Sequence, residues 1–478
     1  MRARAAPSAL GALAWLAATA AAAAILGAMA GRGEAKAALV PAAALLAMFL
    51  ARFPAAGYVA LAWTVATAID LLALPEIRLS SFRFGSAEIL LWLTLGSLAF
   101  LPRAERRVLA RLTTQRESLV LGLFLIAVIG GVAVGVENGA TLHAALFDMR
   151  SMLFYAAFWP ALAALRFRRN LTFGLVSFGV VAVVILQIGQ VIVGPSTHLF
   201  LIYASDLSST LTTSDGGGFL RVRPPGLTAV YIVAAFAAAR VLWGPRRGRW
   251  RGWALSAVTL TGIVLSLNRN MLLGLGLGLC VAFAVAPQKH RFVVVAAVVG
   301  TLLLSFSLLT QGSSVGSNPV VSRYASISNY GALKTQTLGD RYYENHIALQ
   351  RIRHHPIGGL GWGLDYGAVL LSTDDGVPVS TPRSFMHEQY LWIWMRAGIV
   401  GLLALISTLV LGVWNGAQWC RARVGVGDGW LGAGVVAALV AVAASSNVAI
   451  YLTAPDSTVP LVGVLALAAI LRRDLRRQ

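Results

Sequence analysis

Residues 311–386 are polar enough for water yet lie between two apolar runs. They lead into SFMHEQYLWIWMRAGIVGLL, which places His387 at the mouth of an apolar helix. An imidazole titrates near neutral pH and can take a proton from a hydroxyl. Glu388 follows it and Glu344 lies upstream; either carboxylate can orient the imidazole or act as the base itself. Fixed positive charge comes from four arginines. Arg221 and Arg223 stand in RVRPPG before a span, Arg269 occupies the tight corner LSLNRNMLLG, and Arg341 precedes Glu344 by about one turn in RYYENHIALQRIRHH. A charge at or below a membrane surface is expensive and tends to be functional. Snorkelling to headgroups, pairing with a loop carboxylate and a surface ion pair with Glu344 are the structural alternatives.

The elements that must position these groups are membrane spans. With 58% hydrophobic and 12% charged residues and a mean hydropathy of +0.74, the 478-residue chain is too apolar for a soluble protein. About fourteen apolar runs are long enough to approach or cross a ~30 Å hydrocarbon core. They lie near 8–30, 36–51, 55–74, 84–101, 118–136, 149–165, 171–193, 226–243, 253–267, 270–287, 292–310, 387–413, 430–450 and 457–471. Two are short, so the expected count is about 12–14. The first run reads as a retained anchor helix rather than a cleaved signal.

The net charge of +20 does not imply nucleic acid, because the basic clusters at 103–116, 166–169, 240–251, 289–291, 421–423 and 472–477 fall in alternate loops. With the amino terminus inside, all lie on the cytoplasmic side, both termini are cytoplasmic, and 137–148, 194–225 and 311–386 face outward. Cys280 and Cys420 leave the outer loops without a disulfide. The expected organisation is amino-terminal spans at 1–193, an outer loop at 194–225, core spans at 226–310, a large outer loop at 311–386 and carboxy-terminal spans at 387–478.

Other motifs in the large loop read as scaffold. Asp340 is an expected N-cap for a helix running to His355, ended by Pro356 and the glycines of GGLGWG. No strand pattern precedes those glycines, which argues against a nucleotide loop; they allow a sharp return towards the membrane. His346, His354 and His355 lack a converging carboxylate set and read as solvated, and Asp374-Asp375 reads as a polar turn rather than a metal motif.

The order RVRPPG, SLNRNMLLGLGLGL, DRYYENHIALQRIRHHPIGGLGWG and MHEQYLWIWMRAGIVGLL resembles the O-antigen ligase and O-antigen polymerase family over about half of the chain. The resemblance implies an all-α polytopic integral membrane protein, GT-C-like, with one large partly helical outer loop. Residue by residue, the family's arginine before a glycine at the start of a span matches Arg223, followed by Gly226. Its corner arginine matches Arg269, its loop-helix arginine Arg341, and its histidine opening the post-loop span His387. Departures are Glu388 where the family often has Asn, Arg396 where it has an acidic residue, and Leu227-Thr228-Ala229 in place of an Asn-Pro pair.

The family acts on glycans carried by polyprenyl diphosphate. The resemblance therefore implies a bacterial inner-membrane glycosyltransferase of lipopolysaccharide or surface-polysaccharide synthesis. Its donor would be a polyprenyl (undecaprenyl) diphosphate glycan and its acceptor a glycan or lipid core, with membrane lipids around it and a chain-length regulator as an open partner. Arg221, Arg223, Arg269 and Arg341 would bind the diphosphate, because guanidinium holds phosphate oxygens without a metal. No cofactor and no metal are expected, and one base with no covalent nucleophile implies inversion. A repeat-unit polymerase is the alternative within the family. A lipid-linked glycan transporter, with Glu88, Gln187 and Gln190 along a path, is the alternative of another class.

Overall fold

In lipid, backbone N–H and C=O groups must be paired within the chain, and apolar runs do so as helices. The computed structural model describes residues 45–46, 48–67, 77–79, 82–194, 199, 210–212, 218–220, 222–224, 226–266, 268–286, 337–371, 378–381, 386–423 and 427–478. Its helices are α1 (Pro54–Thr67), α2 (Ser86–Ser97), α3 (Arg103–Thr113), α4 (Arg116–Glu137), α5 (Leu142–Met149), α6 (Phe158–Val193) and α7 (Leu227–Trp243). They continue with α8 (Arg249–Leu265), α9 (Arg269–Val285), α10 (Thr337–His354), α11 (Gln389–Arg423), α12 (Trp430–Ser445) and α13 (Pro455–Leu475). Three short two-stranded antiparallel ribbons accompany the loops: Ile77–Leu79 with Phe82–Phe84, Thr210–Thr212 with Gly218–Leu220, and Ala368–Leu371 with Pro378–Thr381.

The protein is an all-α, multi-pass membrane protein. Among the described residues, α4, the stretch Leu142–Val193 and α11 are long and apolar enough to cross a membrane, and α1, α7, α9 and α12 supply shorter apolar helices. The expected spans at 8–30 and 292–310, and most of 36–51, lie outside the described residues. The 52 residues of Leu142–Val193 would reach about 78 Å as one rod, far more than one crossing. Contacts show the chain turning back at Arg168, whose φ of −143° and ψ of 40° break α6. Before the break, Tyr155 donates to the carbonyl of Leu452 near the start of α13, and Arg166 pairs with Asp474 at its end. After the break, Gln187 donates to Val222 and Gly262, back at the first level.

The same logic orients the rest. Thr228 and Ser457 bond at 2.7 Å where α7 and α13 begin, whereas Glu117 at the start of α4 takes Asn415 from late α11 and Arg472 from late α13. The described arginine clusters, at 103–116, 166–169, 240–251, 421–423 and 472–477, thus share one end of the bundle, and His387, α10 and the glycine run share the other; the cluster at 289–291 lies outside the described residues. Residues 103–113, expected as a loop, form α3, bent 116° from the preceding helix. Its arginines leave Leu109 and Leu112 on a buried face, so it can lie across the bundle end. Helix α13 is the central post, buried from Ser457 to Arg473 and packed against α6, α7, α11 and α12.

Candidate active site

Helix α10 begins at Thr337, so Asp340 is not its N-cap but lies in its first turn. Glu344, Ala348 and Ile352, spaced by four, form its buried stripe. This spacing carries Glu344 into the bundle although it belongs to a polar loop. Its carboxylate is fully buried; His387 Nδ1 lies 3.2 Å from Oε1 and 3.0 Å from Oε2, and the His387 backbone N–H approaches Oε2 at 3.5 Å. Arg341 reaches the same carboxylate at 3.3 Å from one turn away. A buried carboxylate needs such partners, so the pair is not the surface ion pair considered as an alternative. With the carboxylate as acceptor, Nδ1 donates and the lone pair resides on Nε2. The side chain of His387 is 22% exposed.

Two devices hold the start of α11. Glu388 immediately precedes the helix, and its carboxylate accepts the N–H of Leu391, capping it. Burial pushes this carboxyl above its ordinary range, against the backbone N–H groups of Leu391 and Tyr390 that pull it down. The imidazole is therefore oriented by Glu344, while Glu388 terminates a helix. Gln389, fully buried, donates its backbone N–H to the Ser446 carbonyl at 3.1 Å and its side-chain amide to the Met386 carbonyl, and its amide oxygen accepts from the Thr453 hydroxyl. This ties the histidine segment to the link between α12 and α13.

The glycine run docks into a break in α11. Gly398 takes φ +69°, which frees the carbonyl of Met395 from the helix ladder; it accepts the N–H groups of Leu360 and Gly361 at 2.6 and 3.2 Å, and Ile399 donates to Ile357. Trp362 bonds through its backbone to Gly131 and through its indole to Val128, both on α4. A Cβ on Gly361 would lie 2.1 Å from the backbone nitrogen of Gly135. Arg396, fully buried, locks this junction: it donates to Gly361 at 2.8 Å, stacks on Trp392, and faces Asp148 at 3.6 Å. Asp148, on α5, accepts the N–H of Gly363.

The starts of α7 and α9 lie at the same end of the bundle. Arg223 is exposed just before α7, beyond buried Val222. Arg269 opens α9, its side chain lying outside the described residues, as does Arg221. Beside Arg269, Asn268 donates to the Tyr451 hydroxyl at 2.7 Å. Burial pushes the Tyr451 phenol up; Asn268 and the positive field of Arg223 pull it down, and Asp456 raises it. Tyr451 lies in the same α12–α13 link that receives Gln389, so a short chain of contacts joins His387 to the Arg269 corner. Sequence reasoning passed over Tyr451, Asp148 and the buried role of Glu344. An aromatic residue and carboxylates near span ends were the available signal.

Elsewhere, Glu88 near the start of α2 accepts from Gly85 and pairs with Arg150 at 3.5 Å. Gln187 and Gln190 bond to backbone groups around the outer loop rather than to a path. His346, His354 and His355 are exposed, and among the described residues no cluster of His, Cys, Asp or Glu is placed to hold a metal.

No curated protein matches the chain. Residues 254–406 match the O-antigen ligase family, a stretch that includes Arg269, Arg341, Glu344, the glycine run and His387. Residues 254–406 thus form a domain of the O-antigen ligase and polymerase family, whose work in polysaccharide synthesis implies a lipid-linked glycan and an acceptor as substrates.

Proposed function

We propose that the protein transfers a glycan from polyprenyl diphosphate to an acceptor hydroxyl on the outer face of a bacterial inner membrane, with inversion and without a metal. The observation that supports this most is the buried Glu344 carboxylate on Nδ1 of His387, which leaves Nε2 as a base at the mouth of a membrane helix. The acceptor oxygen loses its proton to Nε2 and bonds to the anomeric carbon as the bond to the diphosphate breaks. The polyprenyl diphosphate leaves with the electron pair. Arg223 and Arg269, with Arg221 and Arg341, neutralise the charge that develops there, a task guanidinium performs without Lewis-acid help. Glu344 is too enclosed to meet an acceptor and acts by orienting the imidazole, as carboxylates do beside other working histidines.

In this reading both chain ends and the arginine-rich bundle end face the cytoplasm. The ligase branch, delivering a finished chain to a lipid core or another acceptor, is the leading form, with a repeat-unit polymerase as the alternative. The length distribution of polyprenyl-diphosphate glycans in cells carrying His387→Ala separates them. Accumulated long chains indicate a ligase, accumulated single repeats a polymerase, and an unchanged pool removes His387 from the chemistry.

A further inference from the structure

A cavity of about 890 Å³ lies between α1, α6, α7, α8 and α13, away from His387 and its glycine loop. It runs along α7 from Gly226 to Arg240, fourteen residues or about 21 Å, and its middle is walled by apolar side chains such as Phe173, Ile232 and Val258. A half-open space of this size with mostly apolar walls suits an apolar chain.

The charge at its mouth identifies the occupant. Arg169, Arg240 and Arg251 line the arginine-rich end, together with the single carboxylate of the lining, Asp428, which leaves that end positive. Arg240 lies over the Trp430 ring and Arg251 over the Trp250 ring. A guanidinium whose face rests on an aromatic ring keeps its N–H edge for phosphate. Trp250 is 68% exposed, as an aromatic anchor at headgroup level would be.

We propose that this cavity binds an anionic phospholipid of the leaflet at the arginine-rich end, its phosphate among Arg169, Arg240 and Arg251 and an acyl chain along α7. The polarity of the cavity selects this occupant over a polyprenyl diphosphate, whose charged end would lie at the opposite mouth near Arg223. A half-bilayer of about 15 Å places an acyl chain well within the 21 Å run.

The test uses the full-length protein in phosphatidylcholine nanodiscs with and without phosphatidylglycerol, read by native mass spectrometry after mild delipidation. The unaltered protein retains phosphatidylglycerol in preference to phosphatidylcholine, and each of Arg169→Gln, Arg240→Gln and Arg251→Gln weakens retention on the order of fivefold. Val258→Phe, which narrows the apolar run and leaves the arginines in place, also loses the lipid. Exposed Arg251 supplies the variant least able to disturb folding. Equal retention of both lipids, retention unchanged in Arg251→Gln and in the variant that combines Arg169→Gln, Arg240→Gln and Arg251→Gln, or recovery of a polyprenyl phosphate in place of the phospholipid overturns the proposal.

Discussion

Glu344 and His387, 43 residues apart in the chain, meet at 3.0 Å with the carboxylate fully buried and the imidazole 22% exposed. One partner is walled in and the other is partly exposed, so the pair has a direction: the carboxylate holds Nδ1, and the proposed proton transfer uses Nε2. Glu344→Gln keeps the shape of this contact and removes the charge. It should lower kcat by roughly 10–100-fold, the range of an orienting partner, with little change in donor KM. Steady-state transfer in proteoliposomes separates this from a general structural defect, which would also reduce the folded fraction.

Glu388 behaves differently. Its carboxyl is held above the ordinary range by burial, so at neutral pH its charged form is disfavoured in the folded state relative to the unfolded one. Glu388→Gln keeps an acceptor for Leu391. Transfer should stay within about twofold of the parent, and Tm at neutral pH should equal or exceed it. The Tm difference should vanish as pH falls below the ordinary carboxylate range, where the parent is protonated in both states. A large loss of kcat would instead give Glu388 a chemical role.

Gly361 and Gly358 make an internal comparison. Gly361 has φ +84° and no room for a Cβ, whereas a Cβ at Gly358 meets nothing nearer than 3.8 Å. Gly361→Ala should cost several kcal/mol, from strain of about 1–3 kcal/mol plus displacement of the loop from α4, or prevent accumulation of folded protein. Gly358→Ala should lie within about 0.5 kcal/mol of the parent. Thermal unfolding of both in one detergent checks the contrast.

The buried pair of Arg396 and Asp148 should be strongly coupled. Breaking such a pair from one side costs about 3–5 kcal/mol because a charge is left without its partner. Arg396→Met and Asp148→Leu should each destabilise the fold, and the double variant should cost well under the sum. Additive losses in unfolding would mean that the two residues act separately.

Much of the helical layout was legible. The expected runs 118–136, 226–243 and 430–450 correspond to α4, α7 and α12, because a membrane helix announces itself by length and hydropathy. The mouth of α11 at His387 was equally visible. Helix α3 was missed because its alternating arginines and leucines read as a charged loop until one face is buried. The contacts Glu344 to His387, Asp148 to Arg396 and Asn268 to Tyr451 span 43, 248 and 183 positions, and no local pattern encodes them. The glycine run was expected as a return of the chain; the reason for so many glycines lies in Gly131, Gly135 and Gly398, whose backbones it touches.

In the proposed reaction His387 moves the acceptor proton while arginine, not a metal, carries the diphosphate charge. The most direct measurement is glycan transfer by purified His387→Gln protein with a polyprenyl-diphosphate donor, in the presence of a chelator, with donor binding measured in parallel. The unaltered protein should keep full turnover under the chelator, and His387→Gln should lose at least about 10²-fold in turnover while binding donor as before. Turnover that survives in His387→Gln, or that stops with the chelator in the unaltered protein, would contradict it.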